Sequence, residues 1–305
     1  MDGHMKILSG GLSTELEAAG LLIQGDPLWS ARLLQTNPQA IKDVHKSFLK
    51  SGADVLSTAT YQASIEGFQK HLGLDVEAAA ELFHVGVNLA KEAAEEIVRP
   101  GKEKILIAGS IGPYGAFLHD GSEYTGGYVT DMTIEELKNW HRTQMQCLAS
   151  AGIDLFALET IPSQKEAEAL VSLLREFPNS KAWLSYSCQN ASLTSYGDNF
   201  EEAVKIAVGT EQLVAVGVNC CSPDFVAPLL ASANKIQGLE IGWIVYPNSG
   251  EKWNHNSGWQ NHNERKPLSA DALEWVQLGA KWIGGCCRTT PSDIASLQQV
   301  LRPAT

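Results

Sequence analysis

The sequence predicts an α/β fold, a (β/α)8 TIM barrel forming a single domain over residues 5–305. Eight short apolar runs recur along the chain, helical patterns fall between them, and one form of helix-to-strand junction is used repeatedly. The runs are near-continuously apolar rather than alternating, as expected for parallel strands buried on both faces. Eight strand–helix units suit a barrel of roughly 250 residues or more. The alternative is a doubly wound open sheet. Such a sheet usually carries a G-x-G-x-x-G turn after its first strand, and the chain has none.

In chain order the candidate strands are KILSG (6–10), DVLSTATY (54–61), KILIAGSIGP (104–113), DLFALET (154–160), KAWLSYS (181–187), VAVGVNC (214–220), IGWIVYP (241–247) and KWIGGCC (281–287). Residues 38–50 place Ile41, Val44, Phe48 and Leu49 on one helical face, and Asn37-Pro38 is a helix start. Thr133 with Glu136 reads as a capping box, followed at helical spacing by Leu137, Trp140, Gln144, Cys147 and Leu148. Ser163 with Glu166 repeats the box ahead of Ala167, Leu170 and Leu173, and Ser269 and Thr290-Pro291 open the last two helices. The junctions FLKSGADV, LASAGIDL and VQLGAKWI put Gly52, Gly152 and Gly279 at the left-handed position that ends a helix.

Composition narrows the function. The formal net charge is -12, a surface that repels phosphate backbones, so nucleic acid is not an expected partner. No apolar stretch approaches the roughly 20 residues of a membrane span, and no signal peptide is recognisable. Met1-Asp2-Gly3-His4 read as a remnant of cloning, with Met5 as the natural start. Six cysteines without a secretion signal suit the cytoplasm. Cys147 and Cys188 fall in a predicted helix and a predicted strand, where a thiol is an ordinary buried hydrophobe.

Active sites of such barrels form at the C-terminal ends of the strands. Those ends carry Ser9-Gly10-Gly11, the Thr58–Tyr61 segment, Ser110, Glu159, Cys220, the Tyr246–Gly250 segment and Cys286-Cys287. Thiols at two strand ends point to a soft metal, with three thiolates and one open coordination place, as in catalytic zinc sites. One of Cys220 and Cys221 reaches the metal, since neighbours along a strand face opposite ways, while Cys286 and Cys287 both can where the chain turns. Vicinal cysteines serving as packing residues or as a redox pair are the competing reading. Glu159, an acid ending an apolar strand, suits a substrate ammonium group. His255 and His262 lie in a polar segment, Glu251–Lys266, read as a solvated loop or a lid.

The segments GVNCC, GGCCRTTP, YPNSGE, GSIGPYGAFLHDGSEYTGGY and GGLSTELEAAG together resemble the homocysteine S-methyltransferase family, over essentially the whole chain. The similarity is closest to the short enzymes that use S-methylmethionine or S-adenosylmethionine in methionine biosynthesis. The resemblance implies a zinc-dependent barrel with Zn2+ held by Cys220, Cys286 and Cys287, leaving Cys221 aside. It implies that Glu159 binds the amino group of homocysteine and that Ser9, Gly10 and Gly11 lie near the amino acid's polar end. The family usually has aspartate where this chain has Ser9, so a hydroxyl stands in place of a charge. Homocysteine is the implied acceptor, with selenocysteine or another thiol or selenol as the alternative.

The expected chemistry is displacement. The acceptor sulfur, held as a thiolate, attacks the methyl carbon of a sulfonium donor, and two thioethers result without a general acid. A metal-dependent hydrolase on the same barrel would need histidines and several carboxylates to activate water, and the strand ends offer neither. A non-catalytic zinc protein would need a fourth ligand, for which Cys221 is the candidate.

Overall fold

The structure, a computed structural model, describes residues 5–97, 103–254, 258–260 and 266–303. The four N-terminal residues, His255 and His262 lie outside the described residues. In chain order the strands are β1 (Lys6–Ile7), β2 (Val55–Ser57), β3 (Leu106–Ile111), β4 (Leu155–Ile161), β5 (Ala182–Tyr186), β6 (Leu213–Asn219), β7 (Gly242–Tyr246), β8 (Lys252–Asn254), β9 (Gly258–Gln260) and β10 (Ala280–Ile283). Eight of them form one parallel sheet in the order β1-β10-β7-β6-β5-β4-β3-β2, while β8 and β9 pair antiparallel as a separate ribbon. A parallel bridge between Leu8 and Val55, with the Ser9 N–H donating to the Val55 carbonyl at 3.0 Å, brings the two ends of the sheet together. The predicted eight-stranded barrel is the observed one.

The helices form where their caps and apolar faces place them. Pro38–Lys50 is helical as predicted, with the Asn37 side chain accepting from the Ala40 N–H and Ile41, Val44, Phe48 and Leu49 buried. The Thr133–Glu136 capping box is complete and opens Ile134–Ser150. Thr290 forms a second box with Asp293 ahead of Pro291–Leu301. Gly52, Gly152 and Gly279 have φ of 104°, 76° and 100°, the left-handed backbone expected at those junctions.

Four expectations need correction. Ser163 caps Gln164–Leu174 as predicted, but the Glu166 carboxylate does not return to close a box; it is buried against other partners. Ser269 opens no helix: the segment Ala272–Gln277 starts after Asp271, two residues later. In Ile134–Ser150 His141 is buried, whereas Trp140 is only half-buried. The segment read as a polar loop after Glu251 contains the β8–β9 ribbon.

Two layers of core result. Inside the barrel, Leu8, Val55, Leu155, Trp183, Ile244, Tyr246 and Trp282 pack together. Trp183 lies at the centre of this cluster, with ring centroids 6.1 Å from Tyr246 and 6.0 Å from Trp282. A buried indole N–H requires an acceptor, and that of Trp183 donates to the Tyr246 hydroxyl at 2.9 Å. Outside the barrel, a larger apolar layer fills the space between strands and helices. The interior layer thereby becomes the floor of the pocket at the strand ends.

Candidate metal and substrate site

One pocket at the C-terminal mouth encloses about 1010 Å³ of empty space, its opening to solvent included, and its wall holds Ser9, Gly10, Gly11, Glu159, Cys220, Cys286 and Cys287. These seven residues, singled out from sequence, therefore border one chamber.

The sulfurs of Cys220, Cys286 and Cys287 lie within 4.8 Å of one another, and they are the one such group of potential metal donors among the described residues. Cys220 and Cys286 are joined as a disulfide, and the Cys287 sulfur is 3.7 Å from that of Cys220. Against the expectation of free thiols at all three positions, two sulfurs converge closely enough to bond; reduction of that pair yields three thiol donors. Zinc–sulfur bonds of about 2.3 Å in a tetrahedron set the sulfurs about 3.8 Å apart, the separation already present between Cys220 and Cys287. Cys221 faces the other way, is buried in the apolar layer beside Cys188, and burial pushes its thiol up to about 12. It offers no fourth donor.

A third chain segment holds the two cysteine turns in register. The Cys220 N–H donates to the Tyr246 carbonyl at 3.2 Å, Asn248 N–H to Cys221 at 3.1 Å, Cys286 N–H to Pro247 at 2.8 Å and Ser249 N–H to Cys287 at 3.2 Å. The Arg288 side chain adds an ion pair with buried Glu251 at 3.0 Å, and the Ser249 hydroxyl donates to the same carboxylate at 2.6 Å. From the other end of the chain, the Gly285 N–H donates to the Ser9 carbonyl at 3.2 Å and the Gly11 N–H to the Thr289 carbonyl at 3.0 Å. A Cβ on Gly11 would stand 2.7 Å from the Cys286 carbonyl oxygen, so the backbone approach here requires glycine.

Glu159 lies in a bulge of β4, where pairing with β5 slips between Leu158 and Ile161. Bulges re-aim side chains, and the Glu159 carboxylate is turned into the chamber. It accepts hydrogen bonds from the Ser110 hydroxyl and, at 2.9 Å, from the Tyr246 hydroxyl. Burial pushes its carboxyl above the ordinary carboxylate value, partly offset by those two bonds. Tyr246 also bonds the Ser185 hydroxyl at 2.6 Å, so the barrel interior orients the acid.

Left-handed backbone at non-glycine residues concentrates at this mouth: Trp29, Thr160 and Cys220 line the chamber with φ of 45°, 60° and 47°, and Arg288, beside Cys287, has 64°. Such conformations persist where surrounding contacts over-determine them.

Sequence reasoning missed several groups here. Tyr124 comes from the long segment after β3 and hydrogen-bonds the Cys287 sulfur. Asn219, one residue before Cys220, bonds Thr160. His45 reaches the chamber wall from a helix rather than a strand end; its Nε2 is buried without a partner among the described residues, and burial pushes its pKa down to about 4, so it is neutral. The polar character of GSEY and the placement of asparagine within GVNC were visible, but their contacts depend on which strands become neighbours.

A family profile described as homocysteine S-methyltransferase matches residues 6–301. A Drosophila melanogaster protein named betaine-homocysteine S-methyltransferase is 42% identical over 95% of this chain and 92% of its own length. A selenocysteine Se-methyltransferase of Brassica oleracea is 39% identical over 98% of this chain and 89% of its own. The metallated form of the Escherichia coli homocysteine methyltransferase MmuM superposes with a TM-score of 0.85 at 38% identity, covering 96% of this chain and 95% of that one. Its oxidized form superposes with the same score.

Proposed function

Since the chain belongs to the homocysteine S-methyltransferase family and is a methyltransferase, we propose that it moves a methyl group from a sulfonium donor, S-methylmethionine or S-adenosylmethionine, to the thiol of L-homocysteine, giving methionine with the help of Zn2+. The convergence of three cysteine sulfurs beside a buried carboxylate in one chamber is the observation that carries this reading. Cys220, Cys286 and Cys287 would hold the metal, a donor set of the chemistry and spacing that zinc takes.

Bound zinc keeps a coordinated thiol deprotonated at neutral pH, which makes the acceptor sulfur nucleophilic. The remaining work falls to the chain's own side chains. The Glu159 carboxylate, held by Ser110 and Tyr246, receives the homocysteine ammonium group and fixes one end of the acceptor. Ser9, Gly10 and Gly11 border the amino acid's polar end, where Ser9 supplies a hydroxyl. The aromatic rings of Tyr61, Tyr124 and Trp29 on the wall exclude water and suit a cationic donor. The acceptor sulfur displaces the donor's thioether from the methyl carbon: a carbon–sulfur bond forms, another breaks, and its electron pair stays on the leaving sulfur. Neither product carries the donor's positive charge, and no proton need be delivered. Holding both partners in line supplies much of the rate.

A donor-by-acceptor panel on metal-analysed protein tests this. The expected result is one zinc per chain and methionine formed from homocysteine and S-methylmethionine. Full activity in metal-free protein, or in a Cys287→Ala variant, overturns the zinc-dependent mechanism. The relative that methylates selenocysteine, as its name states, supports a second acceptor, and the panel includes it.

A further inference from the structure

The acceptor in the proposed reaction must be held at two points, its ammonium by Glu159 and its sulfur beside the three cysteines. These points sit on different strands, yet one buried side chain touches both supports. Asn219 ends β6 and is fully buried. Its Oδ1 accepts the Thr160 N–H at 2.7 Å, and its Nδ2 donates to the Thr160 hydroxyl at 2.8 Å. The same Nδ2 lies 3.9 Å from the Cys286 sulfur, within reach of an N–H···S hydrogen bond. Thr160 follows Glu159 directly and has φ of 60°, a backbone state that a β-branched residue rarely adopts. The two bonds from one amide hold Thr160 there, and that conformation forms the bulge that turns Glu159 inward.

We propose that Asn219 is a positioning residue that sets the Glu159 carboxylate and the Cys286 sulfur in register, so that a single amide fixes the distance between the acceptor's two anchoring points. The inference rests on the reading of function above. It assigns the amide two separable duties. Toward Thr160 it fixes backbone conformation, and so acceptor binding. Toward Cys286 it donates to a ligand sulfur, and so supports metal retention. Because glycine adopts left-handed φ without strain, Thr160→Gly relieves the first duty and leaves the second untouched.

The test uses the full chain, with zinc affinity measured by chelator competition and KM measured separately for homocysteine and donor. Asn219→Ala is expected to weaken zinc binding roughly tenfold or more, the usual effect of losing a partner behind a metal ligand. The same variant is expected to raise the homocysteine KM about tenfold with the donor KM little changed. In Asn219→Ala/Thr160→Gly the homocysteine KM returns toward that of Thr160→Gly alone, while zinc affinity stays low. Thr160→Val, which keeps the side-chain shape and loses one bond to Asn219, raises the homocysteine KM with zinc affinity unchanged; it carries the test if Asn219→Ala fails to fold. A merely structural amide would lower thermal stability and leave KM and zinc affinity where they were, which overturns the proposal, as does a Thr160→Val variant with unchanged KM. Wild-type protein that neither binds zinc nor methylates homocysteine overturns the reading of function; wild type that does both, beside an Asn219→Ala variant indistinguishable from it, overturns the positioning role alone.

Discussion

Glu166 and His141 meet with both side chains fully buried, the imidazole Nε2 2.9 Å from the carboxylate, between the helices that follow β3 and β4. The same carboxylate accepts the Tyr114 N–H at 2.8 Å and the Tyr128 hydroxyl. One acid thus anchors the long segment after β3 that carries Tyr124 to the thiol cluster.

Removing that acid strands the buried Tyr128 hydroxyl and the half-buried Tyr114 N–H, and takes from buried His141 its carboxylate partner. Glu166→Ala is expected to destabilise the protein by about 3–5 kcal/mol, as for breaking a buried charged network. Glu166→Gln, which keeps one acceptor oxygen, is expected to lose less. Urea unfolding of the two variants against wild type checks the order, and a Glu166→Ala loss under about 1 kcal/mol would contradict it.

Glu159 should govern acceptor binding and its pH dependence. Glu159→Gln is expected to raise the homocysteine KM about tenfold to a hundredfold, the worth of one charge-assisted hydrogen bond, with the donor KM little changed. On the proposed function the ionised form binds the ammonium, and burial raises its pKa above the ordinary carboxylate value. Binding is therefore expected to weaken as pH falls through a midpoint above the ordinary carboxylate range, and the ratio of wild-type to Glu159→Gln KM values shows it. A flat ratio across acid pH counts against the assignment.

Glu123 gives a stability signature of its own. Burial pushes its carboxyl up to about 7, and its Oε2 has no hydrogen-bond partner among the described residues. A folded pKa above the unfolded one means no penalty below the unfolded value near 4.5 and a growing penalty as pH rises through about 7. Glu123→Gln is accordingly expected to be more stable than wild type by about 2 kcal/mol at pH 8, a gain that fades by pH 4.5. Denaturant midpoints at the two pH values decide it.

Gly11→Ala probes the contact between the chain's distant parts. Its φ of -69° suits any residue, so the effect is steric: the new methyl meets the Cys286 carbonyl and Thr14. Expected are a stability loss of about 1–3 kcal/mol and zinc affinity lowered about tenfold. Chelator competition that matches wild type would show that the Cys286 turn yields freely.

Much of this was legible in the amino-acid order because it is local or periodic. Apolar runs mark buried parallel strands, Thr133 and Glu136 satisfy each other within one helical turn, and the two Cys-Cys pairs stand at strand ends. What escaped depends on neighbours that spacing does not encode. Ser163 and Glu166 have the same spacing as the first box, yet Glu166 finds three donors from other segments and leaves its local partner. Ser269 stands two residues ahead of the N-cap position, which Asp271 occupies without a side-chain hydrogen bond, so no cap fixes this helix start. Asn219 and Tyr246 acquire their roles only once β4 and β6 flank β5, and β7 follows β6.

The pairing of β1 with β10 makes the first and last barrel strands neighbours. During synthesis Ser9–Gly11 leaves the ribosome long before Cys286-Cys287, and the turn bearing that cysteine pair is stitched to the earlier segment. A growing chain therefore cannot assemble the three-sulfur cluster piecemeal, and the partner turn bearing Cys220 must wait for strands still unmade. On the proposed function, metal loading would follow the closing of the ring of strands, and retained metal would mark that the ring has shut.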